Sequence, residues 1–269
     1  MRIGILGTGS YVPEKVLTND DLAKIVDTND EWITTRTGIK ERRIASENEA
    51  TSDLAFCAAK KAINDAGIDK NEIDLIIVAT MTPDHFTPST AALVQDKLGI
   101  KAAAFDISAA CTGFVYAFTT GYSFIKSGIY KKVLVIGAET MSRVMDWSDR
   151  GTCILFGDGS GAVVLGEVQT GGFCASHLVA DGSGACELIV PAGGSRKVVT
   201  VEALENKETY LQMNGREIFK FAVKVFPESV DDVLKQQNIT ADDIDLFIPH
   251  QANIRIIESV AKRFKQPLD

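Results

Sequence analysis

Phe105-Asp-Ile-Ser-Ala-Ala-Cys-Thr-Gly-Phe114 is the stretch on which the fold turns. An apolar run, residues 103–107, passes into small residues, reaches Cys111 and enters a helical pattern over 112–127 that Gly128 closes. Strand, sharp turn, reactive side chain and helix is the layout of a nucleophile elbow, and small neighbours let the turn close. A thiol in that place faces the positive end of a helix dipole, which favours the thiolate. The same pattern also suits a buried structural cysteine, the usual state of a free thiol.

Outward from this segment, strand and helix patterns alternate, which predicts an α/β class. Strands are expected at 2–6, 75–79, 133–137, 162–165 and 246–248. Helices are expected at 51–66 (capped by Thr51 or Ser52), 89–98, 213–237 with an interruption at Pro227, and 253–264. The decapeptide from Ile68 to Ile77 resembles that from Ile239 to Phe247 and Ile248, 171 positions later. Each copy sits where a helix leads into a strand, so a duplicated α/β unit is the better reading. The expected division is residues 1–170, carrying the nucleophile, and residues 171–269. By the same offset the counterpart of Cys111 falls near position 282, beyond Asp269, so the second copy is expected to lack its last elements.

A cysteine nucleophile needs a histidine, and the sequence has three. His250 follows the expected strand 246–248, and open α/β folds place ligands at the carboxyl ends of strands. Cys111 and His250 are therefore expected to converge on one cleft. His85, in a loop, and His177 read as structural or surface residues. So do Cys57, Cys153, Cys174 and Cys186.

Composition narrows the classes. With 28 Lys+Arg against 36 Asp+Glu the 269-residue chain carries a net charge of −8, which argues against nucleic acid as a partner. It is 45% hydrophobic, but its longest apolar strings are far too short to span a membrane. The N-terminus reads as a strand and turn rather than a signal peptide. Five cysteines without a CxxC pair argue against a disulfide framework or a metal site, and a cytoplasmic location fits. Gly7-Thr-Gly lacks the third glycine of a dinucleotide fingerprint, and Gly157-Asp-Gly-Ser-Gly161 lacks the ending of a phosphate loop.

Six segments in order resemble the β-ketoacyl-acyl carrier protein synthase III family of thiolase-like condensing enzymes. They are Asp30 to Ile39 (DEWITTRTGI), Asp106 to Gly113, Asp149 to Thr152 (DRGT), Phe156 to Ala162 (FGDGSGA), Met213 to Phe219 (MNGREIF) and Ile248 to Arg255 (IPHQANIR). The resemblance implies a layered α-β-α-β-α fold of two halves. It implies a decarboxylating condensation of a short acyl-CoA with malonyl-acyl carrier protein, the first step of fatty-acid synthesis. Cys111 would take the acyl group from CoA, which is a substrate. His250 would donate a hydrogen bond to the malonyl thioester oxygen as charge develops. Trp32 and Arg150 would hold the adenine by stacking, Arg36 would lie near the nucleotide phosphate, and Phe86 would reach a partner subunit's acyl pocket. Gln251, Ala252, Asn253, Ile254 and Arg255 would belong to the carrier-protein docking surface. Residues 250–269 carry a net charge of +2 and residues 1–249 of −10, and a local basic patch attracts an acidic partner. A homodimer is implied; a metal or redox cofactor is not.

The family's Gly-Asn-Thr-Ser segment, which supplies a third catalytic residue, has no match here. That leaves a synthase lacking its last part, a remnant limited to acyl-CoA binding or acyl transfer, or a dimerising partner without chemistry. A related secondary-metabolite condensing enzyme is the alternative within enzymes.

Overall fold

The computed structural model describes residues 1–268. They pack as two compact units that interleave along the chain. The first holds residues 1–16, 43–141 and 157–174, and the second residues 17–42, 142–156 and 175 onward.

Elements are numbered in chain order. The first unit is built on a five-stranded sheet of β1 (Ile3–Tyr11), β4 (Leu75–Ala79), β5 (Ala103–Ile107), β6 (Val133–Thr140) and β7 (Asp158–Glu167), in the order β1-β7-β6-β4-β5. Strands β5, β4 and β6 are parallel, with Leu75 opposite Ala103 on one side and Val133 on the other; β7 runs antiparallel to β6 and β1. Every residue of β4 is buried, because helices cover both faces. Alternation sorts its side chains. Ile76 and Val78 join the core made with α3 (Thr51–Asp65) and α4 (Thr90–Leu98), while Leu75 and Ile77 join the one made with α5 (Gly113–Lys126). The three parallel strands end on one side of the sheet, and the turns that follow them carry the nucleophile region.

The glycines of Gly7-Thr-Gly9 have a packing role. A Cβ on Gly7 would stand 2.2 Å from the Ala66 backbone nitrogen, and one on Gly9 2.3 Å from the Ala58 carbonyl oxygen. Bare backbone there lets α3 lie directly on β1. The first turn of α3 departs from expectation. Its N-cap is Ala50, with Asp53 accepting from the Ala50 amide at 2.9 Å. The Thr51 and Ser52 hydroxyls instead bond the Thr82 carbonyl and Asp84.

The second unit is mainly helical: α1 (Asn19–Leu22), α2 (Asp30–Thr37), α6 (Val201–Glu205), α7 (Gly215–Gln237) and α8 (Ile254–Phe264). The remaining strands are short. β2 (Lys15–Thr18) pairs with β3 (Glu41–Ile44), and β8 (Leu188–Ile189) with β9 (Gln212–Met213). Helix α7 runs unbroken through Pro227. Proline removes one helical hydrogen bond, but Phe226, Val230 and Leu234 pack on Val260 and Phe264 of α8, and that contact outweighs it. The strand expected at 246–248 does not form. The chain is irregular there, with Leu246 75% and Ile248 80% exposed. A strand needs a hydrogen-bonded neighbour, and among the described residues none pairs with this segment.

Candidate active site

The elbow is present. After β5 the backbone passes through Ala110 at φ 47°, a conformation costly for a residue with a Cβ, and makes a tight turn over Ala110–Thr112 before α5 begins at Gly113. The Thr112 amide and hydroxyl both bond the Ala109 carbonyl, at 3.2 and 2.9 Å, and so close the turn. Gly113 makes the turn possible: a Cβ there would sit 3.1 Å from the Ala79 Cβ at the end of β4. Asp106 fixes the approach, because its two carboxylate oxygens accept from the Thr90 and Ala91 amides, each at 2.7 Å, at the start of α4.

Cys111 is exposed, yet enough protein surrounds Sγ to desolvate it. That burial, chiefly, and the negative charge of Glu139 push its pKa up from the ordinary thiol value, against a lowering contribution from its own backbone amide. Desolvation thus opposes the pull of the helix dipole toward the thiolate. Cys153, fully buried in the second unit, has its pKa pushed up to about 11, chiefly by burial. Cys57 is half-buried, and Cys174 and Cys186 are exposed.

Glu139, near the end of β6, was not singled out by sequence. Its carboxylate accepts from the Met81 amide (2.8 Å), the Thr82 amide (3.1 Å) and the Thr80 and Thr82 hydroxyls (3.3 and 2.5 Å). Burial still raises its pKa, outweighing those bonds. The turn it holds leads into the loop of His85 and Phe86; both are exposed, Phe86 at 91%. No motif marks Glu139; an acidic residue within a buried strand was the available signal.

His250 belongs to the second unit, on the irregular segment before α8. It reaches solvent, but burial holds its pKa below the ordinary imidazole value. Neutral imidazole retains one N–H to donate. His177 pairs with Asp232 at 3.5 Å elsewhere in the same unit. In the segment after His250, Asn253 is the N-cap of α8, its side chain accepting from the Arg255 amide at 2.9 Å. Ile254 packs near Gly38 at the end of α2, Ala252 is half-buried, and Gln251 and Arg255 are exposed.

Trp32, Arg36 and Arg150, scattered in sequence, meet within the second unit. Arg36 lies 4.7 Å and Arg150 5.3 Å from the centre of the Trp32 ring, within cation–π range. Trp32 is half-buried against Leu22, Ile33 and Ile154, and Asn29 caps its helix by accepting from the Trp32 amide at 2.8 Å. Arg150 donates to the Asp27 carbonyl at 2.9 Å and to its carboxylate at 3.4 Å.

The family profile 3-Oxoacyl-[acyl-carrier-protein (ACP)] synthase III matches residues 105–182, and the profile of its C-terminal part matches residues 234–269. The Beta-ketoacyl-[acyl-carrier-protein] synthase III of Caldanaerobacter subterraneus subsp. tengcongensis is 56% identical over 97% of this chain and 80% of its own length. The chain belongs to the synthase III family. A second relative of the same name, from Natranaerobius thermophilus, is 55% identical over 96% of this chain and 80% of its own length. The crystal structure of 3-oxoacyl-[acyl-carrier-protein] synthase III from Aquifex aeolicus VF5 superposes with a TM-score of 0.89 at 49% identity. It covers 98% of this chain and 82% of that one. The expected thiolase-like α/β fold is thus the fold of a synthase III, and the chain spans about four-fifths of these relatives' length.

Proposed function

We propose that this chain acts as a synthase III acyltransferase, condensing a short acyl-CoA with malonyl-acyl carrier protein to a 3-ketoacyl-acyl carrier protein and so starting fatty-acid synthesis. The observation that carries this is the Cys111 elbow between β5 and α5 in a chain of synthase III sequence.

Cys111 Sγ attacks the acyl thioester carbon. Its proton departs with CoA as the thiol, and the C–S bond to CoA breaks. The Cys111 amide, beside Sγ, is the elbow's donor toward the oxyanion. Malonyl-acyl carrier protein then loses CO2, and the electron pair becomes an enolate. The enolate carbon attacks the acyl-cysteine, and Cys111 leaves and recovers a proton. Neutral His250 donates to the thioester oxygen as it gains charge. Decarboxylation drives the C–C bond, so the chemistry needs no metal or redox cofactor.

CoA is assigned to Trp32, Arg150 and Arg36, and carrier-protein docking to residues 251–255, where Gln251 and Arg255 offer exposed polar groups. A homodimer is part of the proposal. It is supported by β5, the last strand in the sheet order, whose outer edge no strand among the described residues pairs, and by the exposed Phe86. A cytoplasmic location is proposed with it; no described helix is long and apolar enough to cross a membrane.

Intact mass after incubation with acetyl-CoA tests the first step. One acetyl adduct on the wild-type chain, absent from Cys111→Ala, is expected. A folded chain that gains no adduct, or an adduct that survives the substitution, overturns the assignment of Cys111.

A further inference from the structure

Trp32 and Arg150 are 118 positions apart, yet the proposed nucleotide site draws on both. A polar network within the second unit joins the elements that carry them. Asn19, only 1% exposed, donates from its amide nitrogen to the Asp30 carboxylate and to the Ile39 carbonyl, each at 2.8 Å. Those two residues bracket α2, the helix of Trp32 and Arg36. The Asn19 side-chain oxygen accepts from Arg42 Nη2 at 2.9 Å. The same Arg42 nitrogen donates to the Ile154 carbonyl at 3.1 Å, and Nη1 donates to the Leu17 carbonyl at 3.1 Å. Ile154 closes the segment that begins with Asp149-Arg150. That segment is held by Asp149, which accepts from the Gly151 amide and the Thr152 hydroxyl, each at 2.8 Å.

Arg42 is 5% exposed, and its Nε is buried without a partner among the described residues. A buried charge with one donor unsatisfied is a poor stabiliser; an apolar side chain of similar volume would do as well or better. What Arg42 supplies that an apolar residue cannot is direction: two donors reaching two separate parts of the chain.

We propose that Asn19 and Arg42 are positioning residues for CoA: they lock α2 to the 149–154 segment and thereby fix where Trp32 and Arg150 are presented to the adenine. The inference rests on the assignment of Trp32 and Arg150 to CoA.

Calorimetric titration with CoA tests it, using Trp32→Ala as the reference for the clamp itself. Trp32→Ala should abolish measurable binding. Arg42→Met, which keeps volume and removes the donors, should weaken CoA binding about tenfold, the scale on which a network change alters a remote site. Acetylation of Cys111 by acetyl-pantetheine, a thioester without the nucleotide, should keep its wild-type rate in Arg42→Met. A merely structural role would lower both or neither. If Trp32→Ala loses CoA while folded Arg42→Met binds it as wild type, the positioning role is overturned and the clamp stands. If Trp32→Ala binds CoA as wild type, the clamp falls and the inference with it. Should Arg42→Met fail to fold, Asn19→Ser, which shortens the same link from its other end, is judged by the same two readouts.

Discussion

One oxygen of the Glu139 carboxylate accepts hydrogen bonds from both the hydroxyl and the amide of Thr82, at 2.5 and 3.1 Å. The end of β6 is thereby tied to the turn that follows β4, and the charge so held acts on Cys111.

Glu139→Gln should lower the Cys111 pKa. The carboxylate raises it, because a nearby negative charge opposes a second one. Removing the charge favours the thiolate. Iodoacetamide alkylation of Cys111, followed by peptide mass against pH, should therefore reach its half-maximal rate at a lower pH in the variant. An unchanged or higher midpoint would contradict the coupling. Stability should fall by about 1–3 kcal/mol, since an amide cannot satisfy all four donors that the carboxylate meets.

His250 should titrate below the ordinary imidazole value of 6.5, because burial disfavours its charged form. If neutral His250 is the donor in condensation, activity should persist as pH falls through 6.5 and decline only below it. An NMR titration of the imidazole against the pH profile of the condensation rate checks both. A midpoint above 6.5 would be incompatible with the site as described.

Gly113→Ala should damage acyl transfer more than CoA binding. The new Cβ would press on the Ala79 Cβ at 3.1 Å, and relief requires α5 to shift together with the turn that holds Cys111. Overpacking of this kind costs about 1–3 kcal/mol. The acetylation rate at Cys111 should drop, and adding Ala79→Gly should restore part of it. Recovery of stability without recovery of rate would show that the turn itself had not moved.

Gly9→Ala should destabilise by more than about 3 kcal/mol, since its Cβ would meet the Ala58 carbonyl at 2.3 Å and backbone cannot rotate away. Gly161→Ala, on neighbouring β7 with open space at its Cβ, should stay within about 0.5 kcal/mol of wild type. Urea melts of the pair separate close packing of α3 on β1 from the general effect of adding a methyl group to a strand.

The elements that sequence placed well are those whose signals are local. The apolar runs 75–79 and 103–107 became β4 and β5 residue for residue. Helix α4 took Ser89 as its cap and ended at Gly99 in the left-handed conformation, and Asn253 capped α8. Expectations failed where an outcome depends on distant partners. Residues 246–248 have strand composition but no strand beside them, and Pro227 is carried by the contact of α7 with α8. The same division runs through the site. Cys111 is legible because strand, turn and helix are consecutive. The thiol's environment is not, because it depends on Glu139, 28 positions later and without a motif. Asn19 and Arg42 are ordinary polar residues in sequence, and only folding shows that their hydrogen bonds converge.

A raised thiol pKa has a bearing on durability. Hydrogen peroxide and related oxidants attack the thiolate, and their rate follows its abundance and exposure. Cys111 is reachable from solvent, but it sits where desolvation and a neighbouring carboxylate raise its pKa. A smaller thiolate fraction at a given pH means slower oxidation between turnovers, and a slower unassisted reaction with any electrophile that reaches the sulfur.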